Sequence, residues 1–313
     1  MDNLCHTLVG AALAQSGLKR RTRLGTATLL IGANLPDLDM LSILSGNALA
    51  FRRGWTHGVL ALLVLPMLLT GLMVGWDRWH ARGRSDLAPL LPRQLLWLAT
   101  IAVVSHPFLD WLNVYGVRLL MPFSNRWFYG DAVFIVDPWL WLVLGAGAAW
   151  SAVLARRGAA RAAVPATVGL ALAALYIAGM FGLTQVGRMV VARGLELENM
   201  ASKGTVQVAP VFLNPIQRHV VLAAGDRYWF GTIRWRPAPK LEMPGDYLDR
   251  HLDDPRTQAL RGNPRARQLL AWARFPYYVV EMQPGTTARL LRLDDARYST
   301  GRRSWAAVVT EIE

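Results

Sequence analysis

Residues 58–76 run for nineteen positions without one charged side chain. A helix of that length crosses the ~30 Å hydrocarbon core of a bilayer. Similar runs follow at residues 94–113, 133–155 and 164–186, and two shorter ones come first, at residues 4–17 and 24–35. Backbone polar groups inside a bilayer must be satisfied within the segment, so each run is expected to be helical. Residues 1–190 are therefore expected to form an all-α polytopic membrane domain of four long spans plus two short N-terminal helices. At 1.5 Å per residue the run 24–35 reaches only about 18 Å, so the short helices are expected to be half-spanning or re-entrant.

The chain changes character near residue 196. Residues 196–313 alternate apolar and polar positions in the manner of strands, at 205–213, 219–224, 228–235, 277–282, 288–293 and 305–312, with a helix expected over 255–273. They are expected to form a small soluble α+β domain.

The net charge of +13 does not point to nucleic acid. From Glu196 onward there are 17 Lys/Arg against 13 Asp/Glu, and the other 17 basic residues lie mostly in short clusters between apolar runs. That distribution sets membrane topology rather than a nucleic-acid-binding face. If every run crosses, the loops at 19–23, 78–93 and 156–161 carry 11 basic residues on one side, against six on the other. Those three basic loops are then cytoplasmic. The N-terminus and the C-terminal domain are expected outside, in the periplasm if the membrane is a bacterial inner membrane. Cys5 is the only cysteine, which excludes an intrachain disulfide and a thiolate metal cluster. Met1-Asp2-Asn3 has no basic stretch and no A-x-A site follows, so no cleavable signal peptide is expected.

This topology gathers chemistry that the sequence scatters. His106 and Asp110 are four residues apart on one helix face, inside an apolar run where ionisable groups are costly. His6, Asp37 with Asp39, and His57 fall at the same membrane side, at the ends of three other segments. Imidazole with carboxylate suits zinc, manganese or iron, and six such groups suffice for one to two or more ions. Each residue also has a plainer reading. His6 fits an interfacial histidine, Asp37 and Asp39 fit a helix stop and cap after Pro36, and His106–Asp110 fits a helix-end hydrogen bond at Pro107.

Four motifs occur in order: MDNLCHTLVGAAL at 1–13, NLPDLD at 34–39, RGWTHG at 53–58 and SHPFLD at 105–110. Together they resemble the YdjM family of bacterial inner-membrane proteins, over about residues 1–140. Residues 127–138, WFYGDAVFIVDP, also look like family sequence. Gly58 departs from the family pattern, which leads one to expect serine after the Thr-His pair. The resemblance implies a metal-dependent hydrolase. By distant analogy with zinc-dependent phospholipases C it implies zinc, with manganese or iron as alternatives.

On this reading His6, Asp37, Asp39, His57, His106 and Asp110 bind the metals. Asp39, Asp110 and Arg53 are the catalytic candidates, and a metal-activated water is the nucleophile. Asp131, Asp137, Asn34 and Thr56 are candidates to support the ligands. Asp137 fits a helix start before Pro138 equally well, and Arg53 fits an interfacial arginine on lipid headgroups. Thr56 fits an N-cap for the following span. A site at the outer membrane face favours a lipid or lipid-linked ester or phosphodiester. The rival reading is a structural metal clamp with a C-terminal domain that binds a protein partner. A transporter is disfavoured because the polar groups cluster at one face instead of lining the membrane depth.

Overall fold

A computed structural model describes residues 1–45, 48–82, 87–197, 204–282, 289–298 and 307–312. Arg84 of the second basic loop, and the starts of the last two expected strands at 288 and 305–306, lie outside the described residues. The architecture is a helical N-terminal region followed by a C-terminal domain of antiparallel sheets. The chain divides into two compact units. One comprises Met1–Leu41, Phe51–Leu183 and Phe212–Pro215, the other Ser42–Ala50, Thr184–Val211 and Ile216–Glu313.

In the first unit, α1 (Asn3–Gln15) starts where the Asp2 carboxylate accepts the backbone N–H groups of Leu4 and Cys5 at 3.0 and 3.1 Å. α2 (Gly25–Asn34) does not stop at Pro36. Proline has no N–H for an α-helical bond to residue 32, and the chain continues as a 3-10 helix over Leu35–Ser45. A 3-10 helix has three residues per turn, which places Asp37 and Asp39 on different faces. It also lengthens the segment: Gly25–Leu44 becomes a 20-residue candidate span, longer than the half-spanning helix expected from sequence.

A single turn, α3 (Ala48–Phe51), precedes α4 (Val59–His80). Next come α5 (Pro92–Trp111), α6 (Pro138–Arg156) and α7 (Val164–Leu197). Among the described residues four helices are long and apolar enough to cross a membrane: Gly25–Leu44, Val59–His80, Pro138–Arg156 and Val164–Glu196. α5, read from sequence as a fourth long span, is not among them. It is 20 residues long, but Arg93, Gln94, His106 and Asp110 dilute its hydropathy, and nine of its residues are buried inside the unit. α5 packs against both α2 and α4. Gly32 permits the approach, because a Cβ there would lie 2.8 Å from the Ala102 Cβ and 3.2 Å from Leu69 Cδ2. α6 starts at Pro138 rather than Val133, since Asp137 caps it and Asn113 pairs with Val133 in an isolated β-bridge. The connection at 114–132 buries Val114, Tyr115, Val117 and Arg118.

In the second unit, β1 (Val206–Val211), β2 (Asn214–Ala224), β3 (Arg227–Arg234) and β4 (Lys240–Glu242) form one antiparallel sheet in that order, and β5 (Tyr247–Asp249) pairs with β3. The two β-strands β4 and β5 are three residues each and escaped the alternation pattern. Val220 and Leu222 pack with Val191 and Leu195 of α7, while Val221 packs with Phe275 and Tyr277 on the other face. The expected helix at 255–273 is broken into α8 (Gln258–Arg261) and α9 (Pro264–Trp272). Asn263 restarts the second piece: its side chain accepts the N–H groups of Arg265 and Ala266 at 2.9 and 3.4 Å. β6 (Pro276–Met282), β7 (Arg289–Asp295) and β8 (Val308–Ile312) form a second antiparallel sheet.

His219 in β2 is half-buried and stacks on Phe230, and burial lowers its pKa below the ordinary 6.5. A depressed histidine leaves the unfolded chain holding more protons below that value, so the stability it contributes is complete above pH ~6.5 and is lost as pH falls. Thermal melting of the full chain is expected to drop between about pH 7 and about pH 5, and less steeply in His219→Gln. Parallel curves for the two proteins would remove His219 from the account.

Candidate metal centre

Three elements deliver one cluster. The 3-10 turn after α2 brings Asp37, the turn before α4 brings His57, and the last turn of α5 brings His106 and Asp110. One ligand atom from each of these four lies within 4.8 Å of every other. His57 Nε2 stands 3.2 Å from His106 Nε2 and 3.2 Å from Asp110 Oδ2. His106 Nε2 is 3.5 Å from Asp110 Oδ2, and Asp37 Oδ1 is 3.7 and 3.9 Å from the two imidazole nitrogens. His57, His106 and Asp110 are all fully buried.

The outer bonds fix which nitrogen faces inward. His106 Nδ1 lies 2.7 Å from the Ala33 carbonyl, which can only accept, so Nδ1 carries the proton. His57 Nδ1 lies 3.3 Å from Asp39 Oδ2, and a carboxylate likewise demands a donor. The Nε2 atoms of the two rings then face each other across 3.2 Å. Two such nitrogens at this distance share a cation, either a proton or a metal ion. Asp37 Oδ1 and Asp110 Oδ2 converge on the same point, buried and without a hydrogen-bond partner among the described residues. Two imidazole nitrogens and two carboxylate oxygens, oriented by bonds behind them, fit a divalent metal ion.

The remaining expected residues take other places. Asp39 lies behind His57, and its Oδ2 also accepts the Arg53 backbone N–H at 2.6 Å and the Thr56 hydroxyl at 3.2 Å. It orients an imidazole and stands outside the group of four. His6 stacks on His106 with ring centroids 3.7 Å apart, its Nε2 3.4 Å from the outer oxygen of Asp110. Arg53 is buried in left-handed backbone (φ 49°) and grips that same oxygen at 2.9 Å. Its guanidinium also donates to Asn113 Oδ1 at 3.1 Å and to the Met1 carbonyl at 3.1 Å, and lies over the Tyr115 ring. It is occupied in holding Asp110, not displayed to lipid headgroups. The Met1 amine makes a further ion pair with Asp110.

Thr56 supports both Asp39 and His57, the latter at 3.0 Å, but it does not cap α4. Gly58 is the N-cap, and a Cβ there would strike the Met121 carbonyl oxygen. That clash accounts for glycine where serine was expected. Asn34 ties α2 to α1 through Thr7 at 3.1 Å. Asp137 caps α6 and accepts from the Tyr176 hydroxyl at 2.9 Å, away from the cluster. Asp131 is buried in left-handed backbone (φ 53°) within the 114–137 connection. Asn113 was missed, although its spacing of three from Asp110 puts it on the same face at the helix end. The Ala33 carbonyl and Met1 left no signal to find, because backbone contacts have no residue signature.

Candidate membrane-crossing helices and a buried His/Asp cluster with its outer bonds in place define a membrane protein with a site that could hold a metal ion. The chain belongs to the YdjM inner membrane protein family, which matches residues 1–186. A protein of Bacillus subtilis (strain 168) called "Uncharacterized protein YfhP" is 33% identical over 131 residues, 39% of this chain and 36% of that protein. The chain thus spans about a third of the length of that relative. No solved structure matches it.

Proposed function

We propose that this protein is a membrane-bound metal-dependent hydrolase, acting at the outer face of a bacterial inner membrane on an ester or phosphodiester bond of a lipid or lipid-linked molecule. The observation that carries this reading is the pair of facing imidazole nitrogens with two carboxylate oxygens aimed between them. Asp37, His57, His106 and Asp110 would hold the ion, zinc being the first choice for that donor set, with manganese or iron next. When bound, such an ion supplies Lewis acidity and lowers the pKa of water toward neutrality. Asp39 and the Ala33 carbonyl hold the two rings in the ligating tautomer. Arg53 and the Met1 amine fix one oxygen of Asp110, which leaves the other for the ion. His6, beside that carboxylate, is the available group to take or return a proton. The soluble domain, proposed to be periplasmic, carries no part of this chemistry.

Complete burial of three of the four residues favours a second reading, a closed structural site that only fastens the helices. The two separate experimentally. Purified protein refilled with zinc or manganese is incubated with a panel of phospholipids and lipid-linked esters, with His6→Ala alongside. The hydrolase should release product from at least one lipid class, and His6→Ala should lower the rate by roughly 100-fold while retaining its metal. Metal-replete protein that is inert toward the whole panel, or that cleaves only soluble esters, would defeat the lipid-hydrolase reading. The inert case leaves the structural one.

A further inference from the structure

The first unit contains a cavity that the metal chemistry does not use. It has a volume of about 530 Å³ and lies among α1, α5, α6 and α7. Its length can be read from its lining. It runs from Cys5 to Leu13 on α1 and from Leu170 to Phe181 on α7, or ~12 and ~16 Å at 1.5 Å per residue. The walls are hydrocarbon. Ser105 is the one hydroxyl among them, and it is already bonded to the Ala102 carbonyl of its own helix at 2.7 Å. Water has almost nothing to bind there.

We infer that this cavity is a slot for a single acyl chain of the lipid substrate. Three observations lead there. The slot extends ~12–16 Å along the helix axes, a length that suits an extended alkyl chain. It opens beside membrane-crossing helices, with Phe108, Ala174 and Ala178 exposed at its edge, so the surrounding solvent offers acyl chains and no water. It also runs alongside the metal cluster. Cys5, Ser105 and Leu109 line it and are the chain neighbours of His6, His106 and Asp110. A lipid whose tail fills the slot would hold its ester or headgroup linkage at the end where the cluster sits. The inference rests on the hydrolase reading for the word substrate, but the slot itself is testable without turnover.

The test uses the full chain in nanodiscs containing a trace of phosphatidylcholine with a diazirine on the acyl chain. After photolysis the labelled residues are located by proteolysis and mass spectrometry. The comparison surface is the outer face of α4, where Leu63, Met67 and Leu72 are exposed. Labelling of slot residues on α1, α5 and α7 is expected to exceed that of α4 by about tenfold, a preference of ~1.4 kcal/mol. Ala174→Phe with Ala178→Phe should reduce it to the α4 level, whereas Leu175→Phe, outside the lining, should not. Equal labelling of slot and α4 face in the unmodified protein would mean annular lipid alone and would overturn the proposal. That contrast needs no variant to fold. Labelling is read with and without chelator: a labelled slot in a protein that hydrolyses nothing fails the hydrolase reading alone, and lipid hydrolysis without slot labelling fails the slot alone.

Discussion

Elemental analysis is expected to find at least one equivalent of zinc, manganese or iron in the purified protein, and none in His57→Ala or Asp110→Ala. Each substitution removes one of four donors whose atoms sit within 4.8 Å of one another. The loss should be close to complete, because three remaining donors hold an ion far more weakly once the fourth corner is empty. The two variants carry different structural risks. His57→Ala leaves Asp39 and Thr56 bonded to each other at 3.2 Å. Asp110→Ala strips the buried Arg53 of its carboxylate, and breaking a buried ion pair costs about 3–5 kcal/mol. His57→Ala is therefore the cleaner measurement. Folded protein that stays metal-free even after refilling with zinc and manganese would end the metal reading.

Asp39→Asn and Asp37→Asn are expected to part company. The sequence placed both aspartates among the ligands. The structure aims Asp37 at the point between the two imidazoles and Asp39 at the back of His57. Removing the charge behind a ligating histidine lowers metal affinity by about 10–100-fold without changing the donor set. Cobalt(II) at saturation should accordingly give the same visible spectrum in Asp39→Asn as in the unmodified protein, with a weaker dissociation constant. Asp37→Asn should alter the spectrum itself. An altered spectrum for Asp39→Asn would put that carboxylate on the ion and reverse the assignment.

The contrast between these aspartates shows what the sequence could and could not convey. Convergence of His57, His106, Asp37 and Asp110 was legible, because apolar runs fix topology and topology fixes which segment ends meet. The division between Asp37 and Asp39 was not. It depends on a 3-10 helix continuing past Pro36, where helical propensity alone predicts an end. Arg53 was read as a catalytic candidate, and its partners are Asp110, Asn113 and a backbone carbonyl from far along the chain. Nothing in the RGWTHG motif states them. In the C-terminal domain the alternation exposed the longer strands. It did not expose β4 and β5, since three residues are too few to establish a period.

The fixing of His106 through Ala33, 73 residues earlier, and of Arg53 through Asn113, 60 residues later, has a bearing on biogenesis. A nascent chain that has emerged only as far as α4 carries Asp37 and His57 but neither His106 nor Asp110, and so has no enclosure for an ion. The enclosure closes when α5 docks between α2 and α4. If the cluster holds an ion, capture comes after insertion of the fifth helix, and a cell starved of metal would accumulate chains already in the bilayer whose three inner helices lack that common fastening.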